Sequence, residues 1–252
     1  MRVAFAVKEW AAIAPSLQSK EQWINWATAP YCPNGTAVVD LPHVPPMARR
    51  RLGHLAKMAV SVADAVLVGA QCIDMPIIWA SRYGDAERSI ALLKSQASDE
   101  QLSPTAFALS VHNGVGAQHS ILRGIVANAV CIASSRFAPE SGVVEAVGML
   151  NDGAAEVLLV CYDAPLPSDY VEFHDEPLTE FAWAVLLGPL SPGGKGFELS
   201  TSVEPLFEKH VEPVPGTLPH GLDVLHFLLR EQQPNLNCVH ESGQWTWERV
   251  HA

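Results

Sequence analysis

Apolar positions in this chain follow two rhythms. From Pro45 to Val68, PPMARRRLGHLAKMAVSVADAVLV places them at Leu52, Leu55, Met58, Ala59, Val62 and Val66, a three-and-four spacing that predicts one amphipathic helix. MPIIWASRYGD, from Met75, is a short apolar run closed by a glycine and predicts a buried strand. DAERSIALLKSQ returns to helical spacing, with Asp85 as its N-cap. Ser103 to Arg123 opens on a proline and carries the small residues Gly114, Gly116 and Ala117, which allow close approach to another backbone. AVCIASS, from Ala129, predicts a strand, ESGVVEAVGMLN a helix stopped at Asp152-Gly153, and AEVLLVCYD a buried strand. FAWAVLLGPL and GFELSTSVEP predict a pair of strands joined as a hairpin through SPGGK. LPHGLDVLHFLLREQQ predicts a helix, and NCVHESGQWTWERV a last hairpin.

Strands and helices thus alternate without an internal repeat or a long linker. The pattern implies one α/β domain over residues 1–252, with a mixed central sheet, helices on both faces, and a short C-terminal helix and hairpin. A composition 48% hydrophobic and 17% charged supplies the core such a domain needs.

A net charge of −11 excludes general nucleic-acid or anionic-membrane binding, because phosphates call for a surplus of Lys and Arg. The one dense basic cluster, Arg49 to Arg51, reads as the solvated start of a helix. MRVAFAVKEWAAIAPS is interrupted by Lys8-Glu9 and does not match a signal peptide, and no apolar run reaches the length of a membrane span; a cytoplasmic protein is expected. Cys32, Cys72, Cys131, Cys161 and Cys238 are odd in number and include no C-x-x-C, so neither a disulfide framework nor a zinc site is expected.

Candidate chemistry is sparse. GPLSPGGKG, from Gly188, resembles a phosphate loop but has the wrong glycine spacing and precedes a strand, so it reads as a turn. His112, His119, His220, His226 and His240 show no metal spacing; each reads as an imidazole satisfied by a hydrogen bond. No cofactor or metal is therefore expected. Trp245 and Trp247, at alternate strand positions, read as residues that seal a core or an interface. Cys131 stands where an apolar strand runs into small residues and then a helix, a place for a nucleophile; Ser134 and Ser135 are weaker alternatives.

Three stretches together, SPTAFALSVHN, the segment from Gly124 to Gly153, and AEVLLVCYDAPLP, resemble the N-terminal half of a β-ketoacyl synthase, the thiolase-fold condensing enzyme of fatty-acid and polyketide assembly. PPMARRRLGHLAKMAVSVA and IIWASRYGDAERSIALL are similar to earlier elements of that family, so the resemblance extends to about Leu187. Such enzymes carry their cysteine in a T-A-C-A-S-G-like turn at a helix start, where the helix end favours the thiolate. Laid on that pattern without gaps, the chain places Arg136 at the nucleophile position, with Ser134 and Ser135 before the turn and Cys131 five residues early in the strand. The family's two decarboxylation histidines belong to a second half for which this chain has no room; TLPHG and NCVHES only echo their motifs.

The resemblance is to the chain-length-factor-like members of aryl-polyene and xanthomonadin-type pigment pathways. It implies a subunit that is no enzyme by itself and pairs with a ketosynthase as a heterodimer, meeting acyl carrier protein only through that partner. The implied interface is Ala129, Val130, Cys131, Ile132, Ala133, Ser134, Ser135 and Arg136, with His112 and Asn113. Acyl carrier proteins are acidic like this chain, so steering is expected to favour the partner's surface. The rival expectations are a stand-alone acyltransferase or hydrolase using Cys131, Ser134 or Ser135 with a histidine, and a homodimeric acyl-binding protein of the same fold.

Overall fold

The computed structural model describes residues 1–68, 74–202, 217–240 and 243–251. Its eight strands are β1 (Arg2–Ile13), β2 (Ile77–Ala80), β3 (Ala129–Ile132), β4 (Val157–Asp163), β5 (Phe181–Gly188), β6 (Lys195–Ser202), β7 (Asn235–His240) and β8 (Gly243–His251). They form one sheet in the order β3-β2-β4-β5-β1-β6-β8-β7. β2 runs parallel to β3 and β4, and the other pairings are antiparallel. The helices are α1 (Lys20–Thr28), α2 (Pro46–Arg51), α3 (His54–Val66), α4 (Ala86–Ala97), α5 (Pro104–Ala108), α6 (Gly114–Arg123), α7 (Ala138–Asn151) and α8 (His220–Leu229).

Strands as apolar as β4 and β5 arise because both faces of the sheet are covered. Alternate side chains point to opposite faces. Val157, Leu159, Cys161, Trp183 and Val185 enter a core shared with α1, α7 and α8. Leu158, Val160, Tyr162, Ala182 and Ala184 enter a second core built on α3. The expected mixed sheet with helices on both faces is what forms, and the expected C-terminal helix and hairpin are α8 and β7–β8.

Three local expectations are corrected. The helix expected from Pro45 to Val68 breaks at Leu52-Gly53 into α2 and α3, because Gly53 is wedged against Asp85 and Arg88, with a Cβ there only 3.0 Å from Asp85 Oδ2. The Arg88 guanidinium also donates to the Arg51 carbonyl, so Arg49 to Arg51 close a short helix and do not open a long one. β5 and β6 are not a hairpin: β1 lies between them, pairing with β5 through Ala6–Ile13 and with β6 through Arg2–Phe5. AVCIASS, expected as a strand throughout, leaves the sheet after Ile132.

Other expectations match. The Asp85 side chain accepts the Arg88 N–H at the start of α4. Gly116 does allow a close approach, but to the Trp79 side chain and not to a backbone: a Cβ would stand 2.7 Å from the indole. Trp247 is fully buried, and Trp245 packs on the same core. No described helix is long and apolar enough to cross a membrane.

Candidate functional site: the turn between β3 and α7

Among the described residues β3 is an edge strand, bonded to β2 on one side only. Ala129 is exposed, and Val130, Cys131 and Ile132 are half-buried. The chain then turns tightly through Ala133, Ser134, Ser135, Arg136 and Phe137 into α7. Ser135 adopts φ +48, a left-handed conformation that costs a non-glycine residue energy. The turn is held by the Phe137 N–H donating to the Ser134 carbonyl at 2.9 Å and by the Ser141 hydroxyl donating to Ser134 Oγ at 2.8 Å. Ser134 and Ser135, expected before the turn, thus lie within it.

The other expected residues collect at the same end of the sheet. The Ser81 N–H, just after β2, donates to the Ile132 carbonyl, and a His112 ring nitrogen lies 3.0 Å from the Ser81 carbonyl oxygen. Asn113 follows at the entry to α6.

Arg136 is half-buried and faces two acids from the segment joining β4 to β5. Its guanidinium is 3.6 Å from Asp175 and 4.0 Å from Glu176. Asp175 is held mainly by Arg82, which donates to its two oxygens at 2.6 and 2.8 Å and keeps that carboxyl below the usual carboxylate range. Beneath these ion pairs is a cavity of about 50 Å³ reached by Arg82, Arg136, Asp163 and Phe181. That volume suits a water or two and not an acyl chain. Asp163 forms its floor, accepting from Ser81 Oγ and the N–H groups of Arg82 and Tyr83; burial pushes its carboxyl up to about 7.

Neither cysteine nor serine here is set up for attack. Burial pushes the Cys131 thiol up to about 11, so almost none is thiolate near neutral pH. Among the described residues no histidine ring bonds to Cys131, Ser134 or Ser135. The histidines have other partners: His119 with Asp64, His226 with the Ala27 carbonyl, and His220 with Glu140 at 2.8 Å. Cys72 and the His240 side chain lie outside the described residues.

Sequence reasoning did not single out Arg82, Asp163, Asp175, Glu176 or Glu140. Asp163 carried a signal, an acid ending an otherwise apolar strand; the others are separated from Arg136 along the chain or hidden inside a helix pattern.

A family model described as the N-terminal domain of beta-ketoacyl synthase matches residues 23–248. No curated protein matches the chain. Among solved structures, the complex of the ketosynthase ApeO with its chain length factor ApeC from Xenorhabdus doucetiae contains a chain 28% identical to this one. The match covers 98% of this chain and 100% of that chain at a TM-score of 0.81. The ishigamide ketosynthase/chain length factor is 11% identical with a TM-score of 0.63, over 79% of this chain and 67% of that one. A beta-ketoacyl synthase from Burkholderia phymatum STM815 is 12% identical with a TM-score of 0.58, over 81% and 65%. The last two similarities are of fold, and the sheet with its two helical layers is the thiolase-like fold of ketosynthases.

Proposed function

The chain belongs to the beta-ketoacyl synthase N-terminal domain family, and we propose that it is the non-catalytic, chain-length-factor-like partner of a ketosynthase. Its pathway in this reading is elongation of an acyl or polyene chain carried on acyl carrier protein, in the cytoplasm, with residues 1–252 acting as one domain. One observation carries the proposal: the turn that enters α7 presents Arg136, engaged with Asp175 and Glu176, where condensation requires an activated thiol. A guanidinium cannot be acylated and released there.

The partner reading draws support from the edge of the sheet. Among the described residues β3 has an unpaired side, and Ile121, on the α6 helix packed against it, and Val126, just before it, are exposed. An edge strand flanked by bare apolar side chains calls for a cover. A ketosynthase strand aligned with β3 satisfies both needs, with His112, Asn113 and the Ala133–Arg136 turn at the rim. The similarity to a chain of the ApeO–ApeC complex over that chain's whole length favours this partner over a second copy.

The test is to co-express the chain with the ketosynthase encoded nearest to it, purify through a tag on this chain alone, and weigh the complex by native mass spectrometry. A one-to-one heterodimer is expected. A homodimer or monomer with no synthase bound overturns the proposal.

A further inference from the structure

His220 of TLPHG and Cys238 of NCVHES, which the proposed function leaves unused, meet in the core. His220 is the first residue of α8, Cys238 lies on β7, and both reach Glu140 in the first turn of α7. One ligand atom from each lies within 4.8 Å of the other two. Glu140 is wholly buried, and His220 and Cys238 are each 8% exposed. We propose that Glu140, His220 and Cys238 form a binding site for a thiophilic divalent cation, Zn²⁺ by its donor chemistry, that clamps α8 and the last hairpin onto α7.

The hydrogen bonding of Glu140 points to a missing ligand. Oε1 accepts the Trp247 indole N–H at 2.9 Å and lies 2.8 Å from His220 Nε2. Oε2 is buried with no partner. Leaving a buried carboxylate oxygen unsatisfied is unfavourable. A cation on Oε2 removes that cost while Trp247 goes on orienting Oε1, as outer hydrogen bonds do for metal-bound carboxylates.

Charge and donor type select the ion. Carboxylate, thiolate and neutral imidazole around a 2+ ion sum to zero, which suits a buried site. Nitrogen, sulfur and oxygen together are zinc donors, and the hard cations Mg²⁺ and Ca²⁺ take oxygen alone. Tetrahedral ligand atoms at zinc bond lengths stand about 3.3–3.8 Å apart, a spacing that small side-chain shifts from the present arrangement can reach. The fourth position is left to a water or to chelation by the carboxylate. Without metal, burial holds the Cys238 thiol protonated. Metal binding displaces the thiol proton. No C-x-x-C or paired-histidine spacing announces the site, because its ligands are far apart in sequence.

The test uses the full chain, alone or with its synthase, so it stands whether or not the partner reading holds. The purified protein is incubated with Zn²⁺, dialysed, and its metal counted by mass spectrometry. Equimolar zinc is expected in the native chain, falling at least tenfold in Cys238→Ser and in His220→Gln. Replacement by Co²⁺ is expected to give a thiolate-to-cobalt charge-transfer band, a readout that needs no variant to fold. Absence of bound zinc, retention of equimolar zinc by folded variants, or a Co²⁺ spectrum without that band each overturns the proposal.

Discussion

The Arg136 guanidinium stands 3.6 Å from Asp175, whose two oxygens are already taken by Arg82. The β4–β5 segment is therefore held mainly by Arg82, just after β2, and less by Arg136 from the turn into α7. Arg82→Ala is expected to lower stability by about 1–2 kcal/mol, since charged hydrogen bonds are lost but Asp175 is partly hydrated. Arg136→Ala is expected to cost about 0–1 kcal/mol. Urea denaturation of both variants checks the order; equal losses contradict it.

Asp64 is buried and takes bonds from Arg123 at 2.7 Å, His119 at 3.0 Å and His43 at 2.6 Å. Burial alone raises its pKa, but these bonds outweigh burial and hold the carboxyl at about 2. A lowered acid stabilises the fold above its unfolded pKa near 4, and that contribution is lost as pH falls through 2. Asp64→Asn is expected to lose about 2 kcal/mol at pH 7 and to flatten the acid limb of a stability–pH curve between about 4 and 2.

Asp163 has the opposite sign. With its carboxyl at about 7 it favours the fold when protonated and opposes it increasingly as pH rises from about 4 through 7. Asn can accept the same bonds from Ser81, Arg82 and Tyr83 without a buried charge. Asp163→Asn is expected to gain stability relative to the native chain as pH climbs over that range, measured by thermal melts at a series of pH values.

Two helical glycines should respond oppositely to alanine. At Gly116 a Cβ would strike the fully buried Trp79 indole at 2.7 Å, and a loss of about 1–3 kcal/mol is expected. At Gly148, inside α7, nothing lies within 4 Å, and a gain of up to about 1 kcal/mol is expected from helix propensity. Equilibrium unfolding of the two variants separates packing from backbone preference.

The exposed face and the buried thiol beside it are also separable. Ile121, 82% exposed, is expected to weaken synthase binding at least tenfold as Ile121→Asp while leaving thermal stability unchanged. Cys131→Ser is expected to leave pathway product largely intact, because that thiol is scarcely ionised. Loss of product from a folded Cys131→Ser protein would return the cysteine to the chemistry.

Much of the fold was legible because local rules govern it. The run AEVLLVCYD needs two cores to bury both its faces, and it has them. Asp85 caps its helix through a bond to the third residue along. The break at Gly53 was not legible, because its cause, Asp85 and Arg88, is brought there only by the fold. β5 and β6 look adjacent along the chain, yet β1 takes the place between them; strand order depends on which edges meet.

The sequence by itself determined most of the strands and helices after Pro45, though not β1 or α1, together with the covering of both sheet faces, the family, and the presence of Arg136 and not a thiol after β3. Periodicity and side-chain chemistry are carried by neighbouring residues, so a linear reading reaches them. Only the tertiary structure decided that Arg136 faces Asp175 and Glu176, that Asp163 lies under Arg82, and that Glu140 meets His220 and Cys238. Those relationships join residues far apart in the chain, and their distances and loss of water, on which ion pairing, pKa and metal affinity depend, exist only once the sheet and helices have packed.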